Sequence, residues 1–304
     1  MRAREKKERA PAGSFRIRFW GVRGSYPVSD RGNLRFGGHT ACVEVRAGDL
    51  RLIFDGGTGI IPLGKKLCEE KVRNLHLFLS HTHHDHIFGL YFFDPLFDAD
   101  NRVFIAGPRS PQKSLQKILA TAMDSSLFPI ALEDLEARTE IRSLHGGEKI
   151  QLRDSGLPSG PNARSRPDGE VTVLTHKSAA HPKNGVMLYR VCYNNKSLVY
   201  ATDIEEKRGG YPDVIEFARG ADLLIHDAQY LEAEYFSRTS PRKGWGHSIV
   251  QRAAEVAGKA GVGRLVLFHH EPTHDDKTIE QIEKIAQRIF PPTVAAYEGM
   301  EVKL

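Results

Sequence analysis

Within six residues, His81-Thr82-His83-His84-Asp85-His86, the chain sets out imidazole and carboxylate groups at spacings suited to holding metal. They follow the apolar run Leu75-His76-Leu77-Phe78-Leu79-Ser80, which reads as a buried strand. On a loop leaving a strand, residues two apart face the same way, so His81 and His83 can grip one ion. Asp85 and His86 fall on the next turn and can grip a second. Nitrogen with oxygen donors suits zinc, and also manganese or iron. Two divalent cations a few ångström apart form a clamp for in-line attack on a phosphoryl or acyl centre. The competing reading, a solvated loop with incidental histidines, leaves the density of ligand types at the end of an apolar run unexplained.

The motif His-x-His-x-Asp-His resembles the signature of the metallo-β-lactamase superfamily, and later segments follow that superfamily's order. The resemblance implies an α+β fold, a four-layer αββα sandwich of two mixed β-sheets flanked by helices, with the metals at one edge. It covers most of the chain from Phe15 onward. It also implies three further ligand positions. His181 precedes the strand-like Val186–Val191, Asp203 follows Ser197–Thr202, and His269 follows Arg264–Phe268. Carried over by position, His81, His83 and His181 would hold the first metal, and Asp85, His86 and His269 the second. Asp203 would bridge the two, and a water between the ions would be the nucleophile. Two divalent ions are expected, zinc first, with manganese and iron as alternatives. His176 competes for the place of His181, and His270 for that of His269. His181 is preferred for its Gly-then-strand sequel, and His269 as the first residue out of its strand. His270, His274, Asp275 and Asp276 either line the mouth of the site or, for the last three, belong to a solvated helix cap.

After Asp203 come Ile225-His226-Asp227-Ala228-Gln229-Tyr230 and Gly244-Trp245-Gly246-His247-Ser248. This order resembles ribonuclease Z and its phosphodiesterase relatives. The resemblance implies that Asp227 orients His247, whose imidazolium donates a proton or hydrogen bond to the phosphoryl oxygen. Asp85, Asp227 and His247 are therefore the expected catalytic group, although His247 alone could simply flank a helix. Phosphodiester hydrolysis leads over thioester or lactone hydrolysis, and over a non-catalytic sensor. Ribonuclease Z carries a long Gly/Pro-rich arm between the first motif and the next ligand. Here the chain passes from His86 through residues 87–97 almost directly to a strand near Val103, with no arm evident. A small anionic phosphodiester, a cyclic nucleotide first, is thus the expected substrate, and an RNA-processing nuclease is the alternative. Tyr26, Phe36, Tyr230 and Trp245 are the aromatics that could stack on a base, with core packing as the competing role. Relatives imply a homodimer.

The elements that must position these groups follow from turns and periodicity. Phe15–Trp20, Ala41–Arg46 and Arg51–Asp55 read as strands. Gly56-Gly57-Thr58-Gly59 opens a helix to about Lys71. This turn could cradle phosphate; in the superfamily it supports the metal loops from behind, and that role ranks first. Ser110–Met123, Ser248–Ala260 and Asp275–Arg288 read as helices, with Ser248 and Asp275 or Asp276 as possible caps. Asp154–Gly169 has the composition of a surface loop. Residues 1–13 read as a disordered basic tail and 14–304 as one domain, a size at which a two-sheet sandwich can bury one core.

With 40% hydrophobic and 27% charged residues, the 304-residue chain is ordinary for a globular protein. No apolar run approaches the ~20 residues of a membrane span, and no secretory signal follows Met1, so a cytoplasmic location without membrane partners is expected. Cys42, Cys68 and Cys192 are an odd, scattered set, expected as buried free thiols outside the metal site. The net charge of +5 suits an anionic substrate and is weak support for nucleic acid.

Overall fold

The computed structural model describes residues 14–153, 170–205 and 210–304. The expected tail at 1–13 and loop at 154–169 lie outside them. The strands are β1 (Phe15–Gly21), β2 (Cys42–Ala47), β3 (Leu50–Phe54), β4 (Asn74–Phe78), β5 (Arg102–Pro108), β6 (Arg138–Leu144), β7 (Lys149–Leu152), β8 (Val171–Ser178), β9 (Val186–Tyr193), β10 (Lys196–Ala201), β11 (Leu223–Asp227), β12 (Leu265–Phe268), β13 (Thr293–Ala295) and β14 (Glu301–Lys303). The helices are α1 (Ile60–Glu69), α2 (His84–Ile87), α3 (Leu115–Ala122), α4 (Pro212–Ala218), α5 (Glu232–Tyr235), α6 (Val250–Ala260) and α7 (Asp276–Ile289).

Among the described residues the strands form two seven-stranded sheets, β14-β1-β2-β3-β4-β5-β6 and β13-β12-β11-β10-β9-β8-β7. Both are mixed: β3 to β6 run parallel, as do β10 to β13, while the remaining pairs are antiparallel. The inner faces meet over a buried core in which Phe54 packs on Phe78, Tyr189 and Tyr200 at 5.4–5.5 Å between ring centroids. The outer faces bury Leu63, Leu67 and Leu119 from α1 and α3 on one side. Val214, Val256 and Ile282 from α4, α6 and α7 are buried on the other. This is the expected αββα sandwich, and such a sheet buried on both faces explains why β4 and β10 read as continuous apolar runs. Parallel strands place their C-terminal ends on one edge, where loops can gather side chains from distant parts of the chain.

Three local expectations needed correction. The helix expected from Ser110 begins only at Leu115, because Ser114 accepts from the Lys117 amide as its N-cap and 110–113 close a separate turn. Ser248 stands one residue before the cap position: α6 starts at Val250 with Ile249 as its N-cap, and the Ser248 amide donates to Asp227. Of the three free thiols only Cys42 is buried; Cys68 is exposed on α1 and Cys192 half-buried. Asp275, by contrast, caps α7 through the Thr278 amide.

His76 on β4 is fully buried, and burial, partly offset by the Arg51 backbone, lowers its pKa from 6.5 to about 4. A depressed folded-state value favours the neutral ring, so its contribution is complete above 6.5 and is lost as pH falls toward 4. At pH 5 the loss amounts to about 2 kcal/mol. In His76→Leu, the difference in unfolding free energy between pH 7 and pH 5, measured by urea titration, should shrink by about that amount. An unchanged difference would contradict the assignment.

Candidate metal centre

Five of the expected ligand residues, His81, His83, His181, Asp203 and His269, lie on loops at strand ends, and Asp85 and His86 lie on the short helix α2. His81 follows β4 by three residues, His181 lies between β8 and β9, Asp203 follows β10, and His269 follows β12. Asp55, Asp203 and His269 adopt left-handed φ values of 61°, 55° and 61°, an uncommon conformation for residues with a Cβ that tends to mark functional sites.

The side chains converge as two groups. Ligand atoms of His81, His83 and His181 lie within 4.8 Å of one another, as do those of Asp85, His86 and His269. Asp203 stands between them. Its Oδ2 is 3.5 Å from His81 Nε2, and its Oδ1 is 3.3 Å from His86 Nε2 and 3.4 Å from His269 Nε2. Only a carboxylate can present one oxygen to each group.

The opposite side of several rings is occupied by outer partners. Asp55 Oδ2 lies 2.8 Å from His86 Nδ1, Gly246 O 3.1 Å from His181 Nδ1, and Gln229 Oε1 2.9 Å from His269 Nδ1. Ser80 Oγ is 3.0 Å from His81 Nδ1. An Nδ1–H donating outward leaves the Nε2 lone pair facing inward, the arrangement that metal-holding histidines require. Two glycines make room for this. A Cβ at Gly24 would come 2.4 Å from the His269 ring, and one at Gly246 2.4 Å from the His181 ring.

Electrostatics favour cation binding. Burial first, then the field of His86, holds His81 well below the ordinary histidine value and so keeps it neutral. Burial would raise Asp203, yet His269, His86 and His81 pull it well below the usual carboxylate range. His86 is driven up against its burial by Asp85, Asp203 and Asp55. His81 Nε2 is also buried without a hydrogen-bond partner, which suits a nitrogen whose lone pair serves a cation. The all-nitrogen-and-oxygen donor set fits a pair of divalent cations such as zinc, manganese or iron.

Asp227 lies beside the site and is committed elsewhere. Its Oδ1 accepts from the Gln229 and Ser248 amides, and its Oδ2 lies 2.7 Å from His247 Nδ1. His247 stacks on His269 at 4.9 Å and 19°. Burial alone would lower its pKa; Asp227, then Asp203 and Asp85, push it up to about 9.

The competitors fall away. His176 pairs with Asp213 at 3.0 Å and stacks on Phe217, while His270 Nε2 lies 2.8 Å from the Ala296 carbonyl. Neither His274, paired with Glu234, nor Asp275 and Asp276, bound to the Thr278, Arg35 and Phe36 amides, serves the site. Phe36 and Tyr230 are buried, whereas Tyr26 and Trp245 are half exposed. Two residues went unrecognised in the sequence. Gln229 fixes His269 while donating to Glu271 at 2.7 Å. Glu205 accepts from the Gly244 and Gly246 amides at 2.6 and 2.9 Å and so holds the loop that carries His247. Gln229 lay in plain view at a strand end beside Asp227; nothing local marked Glu205.

The family described as "Beta-lactamase superfamily domain" matches residues 50–270. Ribonuclease Z of Archaeoglobus fulgidus is 24% identical over 95% of this chain and 98% of its own length. Ribonuclease Z of Picrophilus torridus is 25% identical over 95% and 96%. Among solved structures, the metallo-beta-lactamase fold protein YhfI from Bacillus subtilis aligns with a TM-score of 0.67, covering 96% of this chain and all of that one at 20% identity.

Elemental analysis after metal loading and dialysis should find two divalent ions per chain. Asp203→Ala should hold one at most, and His176→Ala should keep both. Gln229→Ala should weaken retention by about 10- to 100-fold in chelator competition, as expected when a ligand's outer partner is lost. Full retention in Asp203→Ala would rule out the bridging geometry.

Proposed function

We propose that this chain, which belongs to the beta-lactamase superfamily domain family, is a dinuclear-metal phosphodiesterase acting on RNA. It is a hydrolase by kinship, its curated relatives being named Ribonuclease Z over nearly their whole length. That kinship reverses the order of substrates expected from the sequence: RNA comes first and a cyclic nucleotide second. The small phosphodiester keeps its place on one observation. Between α2 and β5 the chain makes only two short 3-10 turns, Phe88–Phe92 and Asp94–Phe97, with no arm for gripping a large RNA in that stretch.

The observation that carries the phosphodiesterase reading is the Asp227–His247 pair set against the ligand cluster. In this reading His81, His83 and His181 would hold one cation and Asp85, His86 and His269 the other, with Asp203 placed to serve either. Two divalent cations bound there supply Lewis-acid stabilisation of a phosphoryl group and bring the pKa of water toward neutrality. The protein's own groups do the rest. Asp227 accepts from His247 Nδ1–H, which fixes the ring and keeps it protonated, leaving Nε2–H to donate toward a phosphoryl oxygen or a departing alkoxide. A thioester or lactone would leave Asp227 and His247 without a phosphate to serve, since only the phosphodiester carries an anionic oxygen before the reaction begins.

Metal-loaded protein should be offered bis(p-nitrophenyl) phosphate, 3′,5′-cyclic purine and pyrimidine nucleotides, a structured precursor RNA and a thioester. We expect cleavage of the aryl diester and the RNA, abolished by Asp203→Ala. His247→Ala should lower kcat by about 10²- to 10⁴-fold. Turnover of cyclic nucleotides without RNA would promote the second reading. Turnover of the thioester alone would defeat the role given to Asp227 and His247.

A further inference from the structure

Trp245 is 55% exposed, although water-facing indole is a poor use of so large an apolar ring. It is nevertheless held firmly. Glu205 accepts from the amides on both sides of it, at Gly244 and Gly246, and its own amide donates to the Arg242 carbonyl at 3.2 Å. The Arg242 guanidinium lies 4.5 Å from the ring centroid. The indole is therefore presented rather than frayed: one face rests on a cation and the rest opens to solvent.

Its position along the chain gives that presentation a purpose. The next residue, Gly246, offers the carbonyl that orients His181, and the one after is His247. Trp245 thus lies two residues before His247 along the chain, a separation of at most about 7 Å between Cα atoms. Lys243 adds a second exposed cation to the same turn. A fixed aromatic ring backed by guanidinium beside a phosphate-handling centre has the chemistry of a nucleobase stacking platform.

We propose that Trp245, clamped by Glu205 and backed by Arg242, is a binding site for a nucleobase adjoining the scissile phosphate. This deepens the phosphodiesterase reading and rests on it for the meaning of the site, but not for its test.

The test is a titration of metal-loaded protein with adenosine 5′-monophosphate and, as the base-free control, ribose 5-phosphate. It is read by tryptophan fluorescence and by calorimetry. The other tryptophan, Trp20, is tied to Glu44 at 3.0 Å and supplies a constant background. We expect the nucleotide to quench and the sugar phosphate not to. The nucleotide's dissociation constant should rise roughly 10-fold in Trp245→Ala and much less in Trp245→Phe, in line with the loss of one base stack. The preference for RNA over methyl p-nitrophenyl phosphate, as a ratio of kcat/KM, should fall by a similar factor in Trp245→Ala. Equal nucleotide binding in wild type and Trp245→Ala, equal quenching by both ligands, or no nucleotide binding at all would overturn the proposal. Failure of the phosphodiesterase reading would look different: no diester turned over by the wild type, whatever the titration shows.

Discussion

The carboxylate of Asp55 ties together parts of the molecule that share no sequence proximity. Fully buried at the end of β3, it receives the Ser80 amide at 2.7 Å, the Ser80 hydroxyl at 2.8 Å and the Tyr200 hydroxyl at 2.6 Å, and lies 2.8 Å from His86 Nδ1. Ser80 and His86 bracket the histidine-rich loop, and Tyr200 belongs to the opposite sheet. One anion thereby fixes the loop's shape and the distance between the sheets at the edge where Asp203 emerges. A buried carboxylate with fewer donors would carry a large desolvation cost, and four partners offset it. The Tyr189 hydroxyl repeats the tie a short way off, donating to the Leu79 carbonyl at 2.6 Å.

From this joint the rest of the site follows as a matter of charge balance. Asp55, Asp203 and Asp227 are buried close to one another, and each is faced by imidazole. His86 and His247 are driven toward the cationic form by those neighbours, whereas His81, with rings around it, is driven toward neutrality. Placement alone thus keeps His81 neutral, as a ring that holds a cation must be, and gives His247 the raised value a proton donor needs, whereas His86, raised by the carboxylates around it, would give up its proton on binding a cation.

How far this could be read from the sequence depended on how local each cause was. The convergence of the loop from His81 to His86 was legible because its imidazole and carboxylate groups are contiguous and follow an apolar strand. His181 could be told from His176 because a Gly and a strand follow it, and in the fold His176 turns out to lie across from Asp213. The sandwich was legible from apolar runs and Gly turns. What stayed hidden was nonlocal. Ser248 looks like a helix cap, yet the cap falls one residue later, at Ile249, and the Ser248 amide is drawn to Asp227 of a neighbouring strand. Glu205 looks like any surface acid until two glycine amides from the loop of Trp245 close on it. Arg23, in the run Gly21–Pro27, is entirely buried and donates to the carbonyls of Gly37, Glu271 and His274, a role no spacing announces.

That lashing by Arg23 joins the first strand's exit to the loop after β12, and β14 then pairs with β1. The first sheet thus takes its edge strand from residues far along the chain, and the side-chain cluster around Asp203 takes His269 from far beyond His81. Sequence-distant closure of this kind is slow to search for and comes late. The loop of His81 to His86 therefore has no finished cage around it until segments distant in sequence have docked. Closing the proposed cation site is in effect coupled to that long-range docking.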